Sequence, residues 1–244
     1  MNQTIMIADL HLAADTPALN ALFKQKLQDW AGTIDALYIL GDLFDAWIGD
    51  DDDSPFIQGQ LQLLRDFSQS TPLFVMRGNR DFLFGLAFAQ TTGATLLEEP
   101  HALTLYGHAY VLCHGDSLCT DDLAYQQFRL QARNPQWQAM ILSKPLAERR
   151  VLAAQIRQMS EGSKAENGKS AISDATEAGV QALMSAHPGA DLIHGHTHRP
   201  ATHQHEVAGR ALQRFVIQDW YGSEGGYLRL DASGVTAASL SAQD

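Results

Sequence analysis

The chain has 244 residues, of which 45% are hydrophobic and 18% charged, and its formal net charge at pH 7 is −11. This length and composition are typical of one globular domain and exclude a disordered chain. The acidic charge argues against nucleic acid as a partner, because the phosphate backbone is bound mainly through Lys and Arg.

Short apolar runs recur along the chain, and each is followed closely by polar residues. Their continuous apolar character, with glycine nearby, predicts strands that are buried on both faces. The predicted strands are Thr4–Ala8, Ala36–Leu40, Leu73–Met76, Ala109–Cys113 and Leu192–Ile193. Helical patterns fall at Pro17–Ala31, Phe56–Ser68 and Phe82–Thr92. This alternation predicts an α/β fold, in which ligands bind at the carboxyl ends of the strands.

Local composition predicts the structure of two further segments. The acidic run Asp50–Asp53 is interpreted as a solvated loop, with a smaller chance that its charge acts on a nearby site. From residue 121 to residue 186 the strand pattern stops, and a Leu-, Ala-, Gln- and Arg-rich sequence predicts a helical insertion. Its helices should break at Asn134–Pro135 and at Ser143–Pro145, with a loop at Gly162–Gly168.

Basic residues are concentrated in this predicted insertion. The stretch from Arg129 to Lys169 holds eight Lys and Arg residues but only three acidic ones. Such an excess indicates either a place where an anion binds or a solvated helical face. Beyond about Ala201, alternation at residues 214–218 and 227–230 predicts antiparallel strands.

The N-terminal residues and the two cysteines allow a prediction of the cellular compartment. The N-terminal residues have no basic region and no long apolar region, so we expect no signal peptide. No run of about 18 apolar residues predicts a membrane-spanning helix. Cys113 and Cys119 are too few for a disulfide framework, which favours a reducing compartment and a packing role for both. We therefore expect a cytoplasmic protein.

Polar side chains of metal-binding type follow the predicted strands. They are Asp9, His11, Asp42, Asn79, His114, His196 and His198. Each motif alone is weak, because Asp-X-His is more often a surface pair and Gly-Asp is mostly a turn. All of them in this order, each at the end of a buried strand, are a strong signal. Oxygen ligands combined with imidazoles suit Mn²⁺, Fe²⁺ or Zn²⁺ better than Ca²⁺ or Mg²⁺ alone.

The series Asp-X-His, Gly-Asp, Gly-Asn, His and Gly-His-X-His resembles the calcineurin-like metallophosphoesterase family over nearly the whole chain. The resemblance implies a four-layer α/β sandwich of two mixed sheets flanked by helices. It implies a single domain of residues 1–244, with residues 121–186 as a helical cap over the active site. It also implies two divalent metal ions, one held by Asp9, His11 and His198, the other by Asn79, His114 and His196, with Asp42 as the bridge.

One position departs from the family pattern. The third motif of the family commonly reads Gly-Asn-His, whereas this chain has Arg80 after Asn79. A guanidinium does not donate a proton at neutral pH but binds phosphate oxygens through paired N–H groups. The change therefore favours a good leaving group, such as the phosphate released from a pyrophosphate.

Long sequence blocks resemble one subfamily, which hydrolyses UDP-2,3-diacylglucosamine in lipid A biosynthesis. The blocks are residues 38–52, 77–83, 114–122 and 193–200. The resemblance implies water attack on the α-phosphorus, release of UMP and 2,3-diacylglucosamine 1-phosphate (lipid X), and Mn²⁺ as the usual metal. It also implies a monomer that works peripherally at the cytoplasmic face of the inner membrane.

The resemblance further implies residue roles. The catalytic candidates are Asp42, Asn79, Arg80, His11 and His196. The candidate substrate contacts are Asn79, Arg80, Asp122, Ser160, Lys164, Asn167, Lys169 and His196. Apolar residues of the predicted cap would line a groove for acyl chains, or else form the ordinary packing face of an amphipathic helix. The remaining alternatives are another nucleotide diphosphate substrate and a non-enzymatic module on the same scaffold.

Overall fold

The computed structural model describes residues 2–167 and 173–241, and the side chains of residues 159–167 lie outside that description. The strands are β1 Thr4–Ile7, β2 Ala36–Leu40, β3 Leu73–Met76, β4 Thr95–Leu97, β5 His101–Leu105, β6 His108–Leu112, β7 Asp191–His194, β8 Ala201–Val207, β9 Arg210–Val216, β10 Glu224–Asp231 and β11 Gly234–Ser241. The helices are α1 Pro17–Trp30, α2 Pro55–Ser68, α3 Leu86–Thr92, α4 Leu123–Ala132, α5 Pro135–Leu142, α6 Leu146–Asn167 and α7 Glu177–Ala186.

The strands form two mixed sheets. The first has the order β11-β10-β1-β2-β3-β4, and the second has the order β5-β6-β7-β9-β8. Strands β1 to β4 run parallel, whereas β10 and β11 are antiparallel additions at the other edge. In the second sheet β6, β7 and β9 are parallel, with antiparallel β5 and β8 at the edges.

Strand β1 shows how the layers are stacked. Ile5 and Ile7 pack in the core shared with helices α1 to α3, whereas Met6 and Ala8 pack in the core between the two sheets. This division follows from the two-residue period of a strand, which sends neighbouring side chains to opposite faces. The prediction of strands buried on both faces is confirmed, as is the α/β sandwich of two mixed sheets flanked by helices.

Helix α7 covers the outer face of the second sheet. Its buried residues Val180 and Met184 pack in one cluster with Val111 of β6 and Leu192 of β7. This last part of the segment 121–186 therefore forms a layer of the sandwich. The same cluster contains Cys113, and both cysteines are buried free thiols.

The predicted breaks in the helical segment are confirmed, since α4, α5 and α6 are separated at Asn134 and at Pro145. The predicted loop at Gly162–Gly168 is wrong as far as Asn167, because α6 continues to that residue. A single internal glycine costs a helix only about 1 kcal/mol relative to alanine, which is too little to end it. No helix in the described ranges is long and apolar enough to cross a membrane.

The acidic run is not a freely solvated loop. Asp50 accepts hydrogen bonds from the backbone N–H groups of Gly85 and Phe88, at 3.0 and 2.9 Å. These bonds fix the start of α3 at Leu86, so the predicted start at Phe82 is also wrong. Asp51 forms a two-point ion pair with the buried Arg149 of α6, at 2.7 and 2.5 Å.

Candidate metal centre

The turns that carry the candidate ligands have unusual backbone conformations. Asp9, His11, Asp42, His196 and His198 have φ values of 56°, 49°, 53°, 65° and 53°. This left-handed region is strained for residues other than glycine, and such strain is concentrated at functional sites. The left-handed residues lie just beyond the strands, in the loops that bring these side chains together.

Two glycines allow the loops to approach each other closely. A Cβ atom on Gly78 would lie 2.1 Å from Asp42 Oδ1, and one on Gly195 would lie 2.2 Å from Asp9 Oδ2. Neither contact is sterically allowed, so only glycine permits the two carboxylates to sit against the neighbouring loops. Gly78 and Gly195 are therefore required for the geometry of the site.

Three side chains meet at Asn79. His114 Nε2 lies 2.8 Å and His196 Nδ1 lies 2.9 Å from Asn79 Oδ1. The other ring nitrogen of His114, Nδ1, is 2.9 Å from the carbonyl oxygen of Leu40, which fixes the orientation of the ring. An amide oxygen and two imidazole nitrogens thus converge within hydrogen-bonding distance.

Asp42 lies between this group and a second one. Its Oδ1 is 3.7 Å from His114 Nε2, and its Oδ2 is 3.9 Å from His11 Nδ1. Each oxygen of one buried carboxylate therefore faces a different imidazole. Asp42 also accepts a hydrogen bond of 2.8 Å from the backbone N–H of Arg80, which restrains the carboxylate further.

Asp9, His11 and His198 form the second group. His198 Nε2 lies 3.7 Å from Asp9 Oδ1 and 3.4 Å from His11 Nε2. Asp9 Oδ1 and His11 Nδ1 are buried, and neither has a hydrogen-bond partner among the described residues. Buried polar atoms normally have partners. A carboxylate oxygen and an imidazole nitrogen that are buried without partners are suited to bind a cation.

The raised pKa values of His114 and His198 also favour a bound cation. Burial alone would lower the pKa of His114, but the carboxylates of Asp42 and Asp9 raise it to about 9. Burial likewise opposes protonation of His198, yet the neighbouring carboxylates of Asp219 and Asp9 raise its pKa to about 9. The carboxylates therefore attract positive charge, which a metal cation would supply in place of protons.

The other two histidines are held neutral. Burial lowers the pKa of His11 to about 4 despite the nearby Asp9 carboxylate. Burial, followed by the charge on His114, lowers the pKa of His196 to about 3. A neutral imidazole is the form that binds metal ions. The ligand atoms within each of the groups Asp9–His11–His198 and Asp9–Asp42–His114 lie within 4.8 Å of one another, which suits a metal centre.

An apolar cavity opens beside the centre. Its volume is about 120 Å³, and its lining includes the polar residues Asn79 and Arg80. The apolar side chains of its wall include Trp47, Phe82, Leu83, Trp137, Ile141, Leu152 and Ile156. Asp45 forms ion pairs with both Arg80 and Arg157, and all three residues line the cavity. Helices α5 and α6 therefore share with Asn79 and Arg80 a pocket whose lining combines apolar and charged side chains.

The other predicted substrate contacts are Asp122, Ser160, Lys164, Asn167 and Lys169. Asp122 is the N-terminal cap of α4, where its Oδ1 accepts a hydrogen bond of 2.9 Å from the backbone N–H of Tyr125. The side chains of Ser160, Lys164 and Asn167, and the whole of Lys169, lie outside the described residues. Their predicted contacts stay predictions.

Sequence reasoning missed two aspartates that support the centre. Asp219 Oδ2 lies 3.0 Å from His198 Nδ1 and so fixes the ring whose other nitrogen faces Asp9. Asp81 is buried and accepts hydrogen bonds from the backbone N–H groups of Leu43 and Gly78, both at 2.7 Å. Asp219 belongs to no motif. Asp81 follows Asn79-Arg80 directly, and Asp219 follows the predicted strand residues 214–218 directly, so position in the sequence was the available signal for both.

Comparisons with known proteins agree on the family. Residues 3–200 match the model of the calcineurin-like phosphoesterase family. A UDP-2,3-diacylglucosamine hydrolase of Chromobacterium violaceum is 56% identical over 96% of this chain and 97% of its own length. A protein of the same description from Stenotrophomonas maltophilia is 45% identical over 98% of both chains.

Similarity to solved structures extends to the fold. A hypothetical protein from Pyrococcus horikoshii, known from its crystal structure, superposes with a TM-score of 0.51. It covers 99% of this chain and 88% of that one at 10% sequence identity, which supports the fold alone.

Proposed function

Because this chain belongs to the calcineurin-like phosphoesterase family, we propose that it is a metal-dependent hydrolase of UDP-2,3-diacylglucosamine. Water attacks the α-phosphorus, and the new oxygen leaves with UMP. The broken bond releases 2,3-diacylglucosamine 1-phosphate, also called lipid X, an intermediate of lipid A biosynthesis. The family match and the full-length identity to relatives of that description support this proposal.

The proposed metal ligands follow the two groups described above. Asp9, His11 and His198 would hold one cation, Asn79, His114 and His196 would hold the other, and Asp42 would serve both. When bound, the cations, for which we propose Mn²⁺, supply an activated water and neutralise charge on phosphoryl oxygens. The buried, unpartnered atoms of Asp9 and His11 are the observation that fits these cations best.

Side chains of the protein would bind the pyrophosphate and support the leaving oxygen. Arg80 lines the cavity, and its guanidinium would offer paired N–H donors to oxygens of the pyrophosphate. Its backbone N–H binds Asp42, so the side chain and the carboxylate keep a fixed relative position. His11 or His196 would support the oxygen that leaves. Asn79 orients His196 through the contact of 2.9 Å between Oδ1 and Nδ1.

The apolar cavity at the metal centre is the observation that best supports a lipid substrate. Asn79 and Arg80 are part of its lining, and the pyrophosphate would lie beside them. Its apolar wall extends between helices α5 and α6, where an acyl chain would be removed from water. We therefore propose that residues 121–186 include a cap over the active site within a single domain, and that this cap selects acylated substrates.

An exposed apolar surface continues beyond the cavity. Met140, Leu142, Val151 and Ile156 on α5 and α6 are 52%, 40%, 56% and 38% exposed. We propose that this surface rests on the cytoplasmic face of the inner membrane, from which a monomer takes its lipid substrate. Sedimentation with phospholipid vesicles should weaken when Met140 and Val151 are replaced by serine. Unchanged sedimentation would contradict this membrane surface.

The central test is hydrolysis of UDP-2,3-diacylglucosamine with Mn²⁺, followed by detection of UMP. Activity should disappear with a chelator and return with added Mn²⁺. The deacylated UDP-sugar is the matched control, and its kcat/KM should be much lower because it leaves the apolar cavity empty. Equal hydrolysis of both compounds would identify a nucleotide diphosphatase of another specificity. Absence of UMP from both would contradict the hydrolase proposal.

Asp219 gives a prediction about metal affinity. Its contact with His198 Nδ1 at 3.0 Å fixes the ring orientation, and carboxylates in this position typically raise metal affinity about 10–100-fold. Asp219→Asn is therefore expected to weaken Mn²⁺ binding by about that factor, measured by titration calorimetry. Glu224→Gln removes an exposed carboxylate from nearby β10 and should leave the isotherm unchanged. Equal affinities of Asp219→Asn and the wild type would refute the role.

A further inference from the structure

Helix α4 presents one polar face to the loops of the metal centre. Tyr125, Arg129 and Arg133 are spaced four residues apart, so they form a stripe along one side of the helix. Together the three residues contact the loops that carry His114, His196 and Asn79. The opposite side of α4 is open to solvent, with Leu123 71% and Leu130 72% exposed.

Arg129 lies at the middle of the stripe and joins two acidic residues. Its Nε donates to Asp116 Oδ2 at 3.0 Å, and its Nη2 donates to Glu99 Oε2 at 3.0 Å. The second oxygen of Glu99, Oε1, accepts a hydrogen bond of 2.8 Å from the backbone N–H of His114. A continuous path of charge-assisted bonds therefore runs from α4 to the main chain of a candidate ligand.

The neighbours of Arg129 reach the other two ligands of the same group. Tyr125 donates from its hydroxyl to Asp116 Oδ2 at 2.7 Å, and its ring stacks on that of His196 with a centroid distance of 5.9 Å. Arg133 Nη2 donates to the carbonyl oxygen of Gly78 at 3.1 Å, just before Asn79. Thus one helix face restrains the positions of His114, His196 and Asn79.

Burial makes this network sensitive to the loss of Arg129. Asp116 is fully buried, and the side chain of Glu99 is only 10% exposed. Removing the guanidinium would leave both carboxylates without the cation that hydrogen-bonds to them, and Arg133 would remain only at 3.7 Å from Asp116 and 3.9 Å from Glu99. Buried charges that lose a hydrogen-bonded partner force the surrounding structure to rearrange. No comparable contact from α4 to Asp9, His11 or His198 occurs among the described residues.

We propose that Arg129 is a positioning residue for the Asn79–His114–His196 metal site. The polar face of α4, rather than the sheet alone, sets the geometry of that site and leaves the Asp9–His11–His198 site largely independent. This inference rests on the proposed function only in assuming that the chain binds two cations. It assigns a metal-site role to a residue that belongs to no ligand motif and whose charge belongs to the basic excess between Arg129 and Lys169.

The test is calorimetric titration with Mn²⁺ alone, in two backgrounds that isolate the sites. His11→Ala disables the first site, and adding Arg129→Ala should weaken the remaining binding by about 10–100-fold, the usual effect of an outer-shell partner. His196→Ala disables the second site, and adding Arg129→Ala there should leave the remaining binding unchanged. Gln131→Ala, on an exposed part of the same helix, is the control and should change neither isotherm.

Folding is checked by thermal unfolding of each variant. Should Arg129→Ala fail to fold, Arg129→Lys replaces it, since lysine keeps the charge but loses the two-armed contact and should still weaken the second site. Glu99→Gln, which keeps an acceptor for the His114 N–H, should weaken that site less than Arg129→Ala. Equal affinity with and without Arg129, or equal weakening of both sites in folded protein, would overturn the positioning role. Absence of Mn²⁺ binding by the wild type would instead overturn the proposed function.

Discussion

Replacement of Asp42 by alanine is expected to lower kcat by about 10³-fold or more, because the variant loses a carboxylate whose two oxygens face imidazoles of both ligand groups. These oxygens lie 3.7 Å from His114 Nε2 and 3.9 Å from His11 Nδ1, so both proposed cations would lose a ligand together. The measurement is steady-state hydrolysis of UDP-2,3-diacylglucosamine at saturating Mn²⁺.

The fold of this variant should persist. The backbone N–H of residue 42 is bound to Asp81 Oδ1 at 3.3 Å, and that bond does not involve the side chain that is removed. Circular dichroism should therefore match the wild type. Asp66→Ala is the matched control, because it removes an exposed carboxylate from α2 that bonds only Gln62 among the contacts described. Near-normal turnover of Asp42→Ala in a metal-replete assay would contradict the two-metal proposal.

The sequence predicted the central strands well because of how they are buried. In β1 and β2 both faces are covered, so the residues are apolar without interruption and the strand stands out in the sequence. The edge strands were missed for the opposite reason. Strand β5, with the sequence HALTL, is exposed or half-buried throughout, and β4 has three residues, so neither produces a recognisable apolar run.

The candidate ligands could be predicted because each follows a buried strand, and the topology brings strand ends together. Their supporting groups were less evident. Asp219 does follow the predicted strand residues 214–218, but as a single aspartate outside the ligand motifs, and its role depends on a contact with His198 that only the folded chain creates. A lone aspartate in a sequence gives no indication of such a partner.

Charge patterns were the least reliable part of the sequence interpretation. The basic excess between Arg129 and Lys169 and the acidic run at residues 50–53 are largely partners of other charges in the fold. Arg149 pairs with Asp51 and Arg150 with Asp52 and Asp53, almost a hundred residues apart in the chain. Counts of charge along a sequence cannot show such pairing, because it depends on which segments the fold brings together.

Asp81 provides the second prediction of a large effect, in this case on stability. Its buried carboxylate accepts four backbone N–H bonds, from Asp42 at 3.3 Å, Leu43 at 2.7 Å, Phe44 at 3.4 Å and Gly78 at 2.7 Å. These donors belong to two separate loops, which together carry Asp42 and Asn79. One carboxylate thus holds the two loops against each other at the point where Gly78 allows their close approach.

Asp81→Ala is therefore expected to lower the free energy of unfolding by about 3–5 kcal/mol, measured by urea denaturation at neutral pH. The reason is that each buried N–H group left without an acceptor costs about 1–3 kcal/mol, and the two shortest bonds alone account for most of the effect. Asp81→Asn keeps one acceptor oxygen and should lose less stability than the alanine variant. A loss below about 1 kcal/mol for alanine would mean that water replaces the carboxylate, and that the loops hold their positions without it.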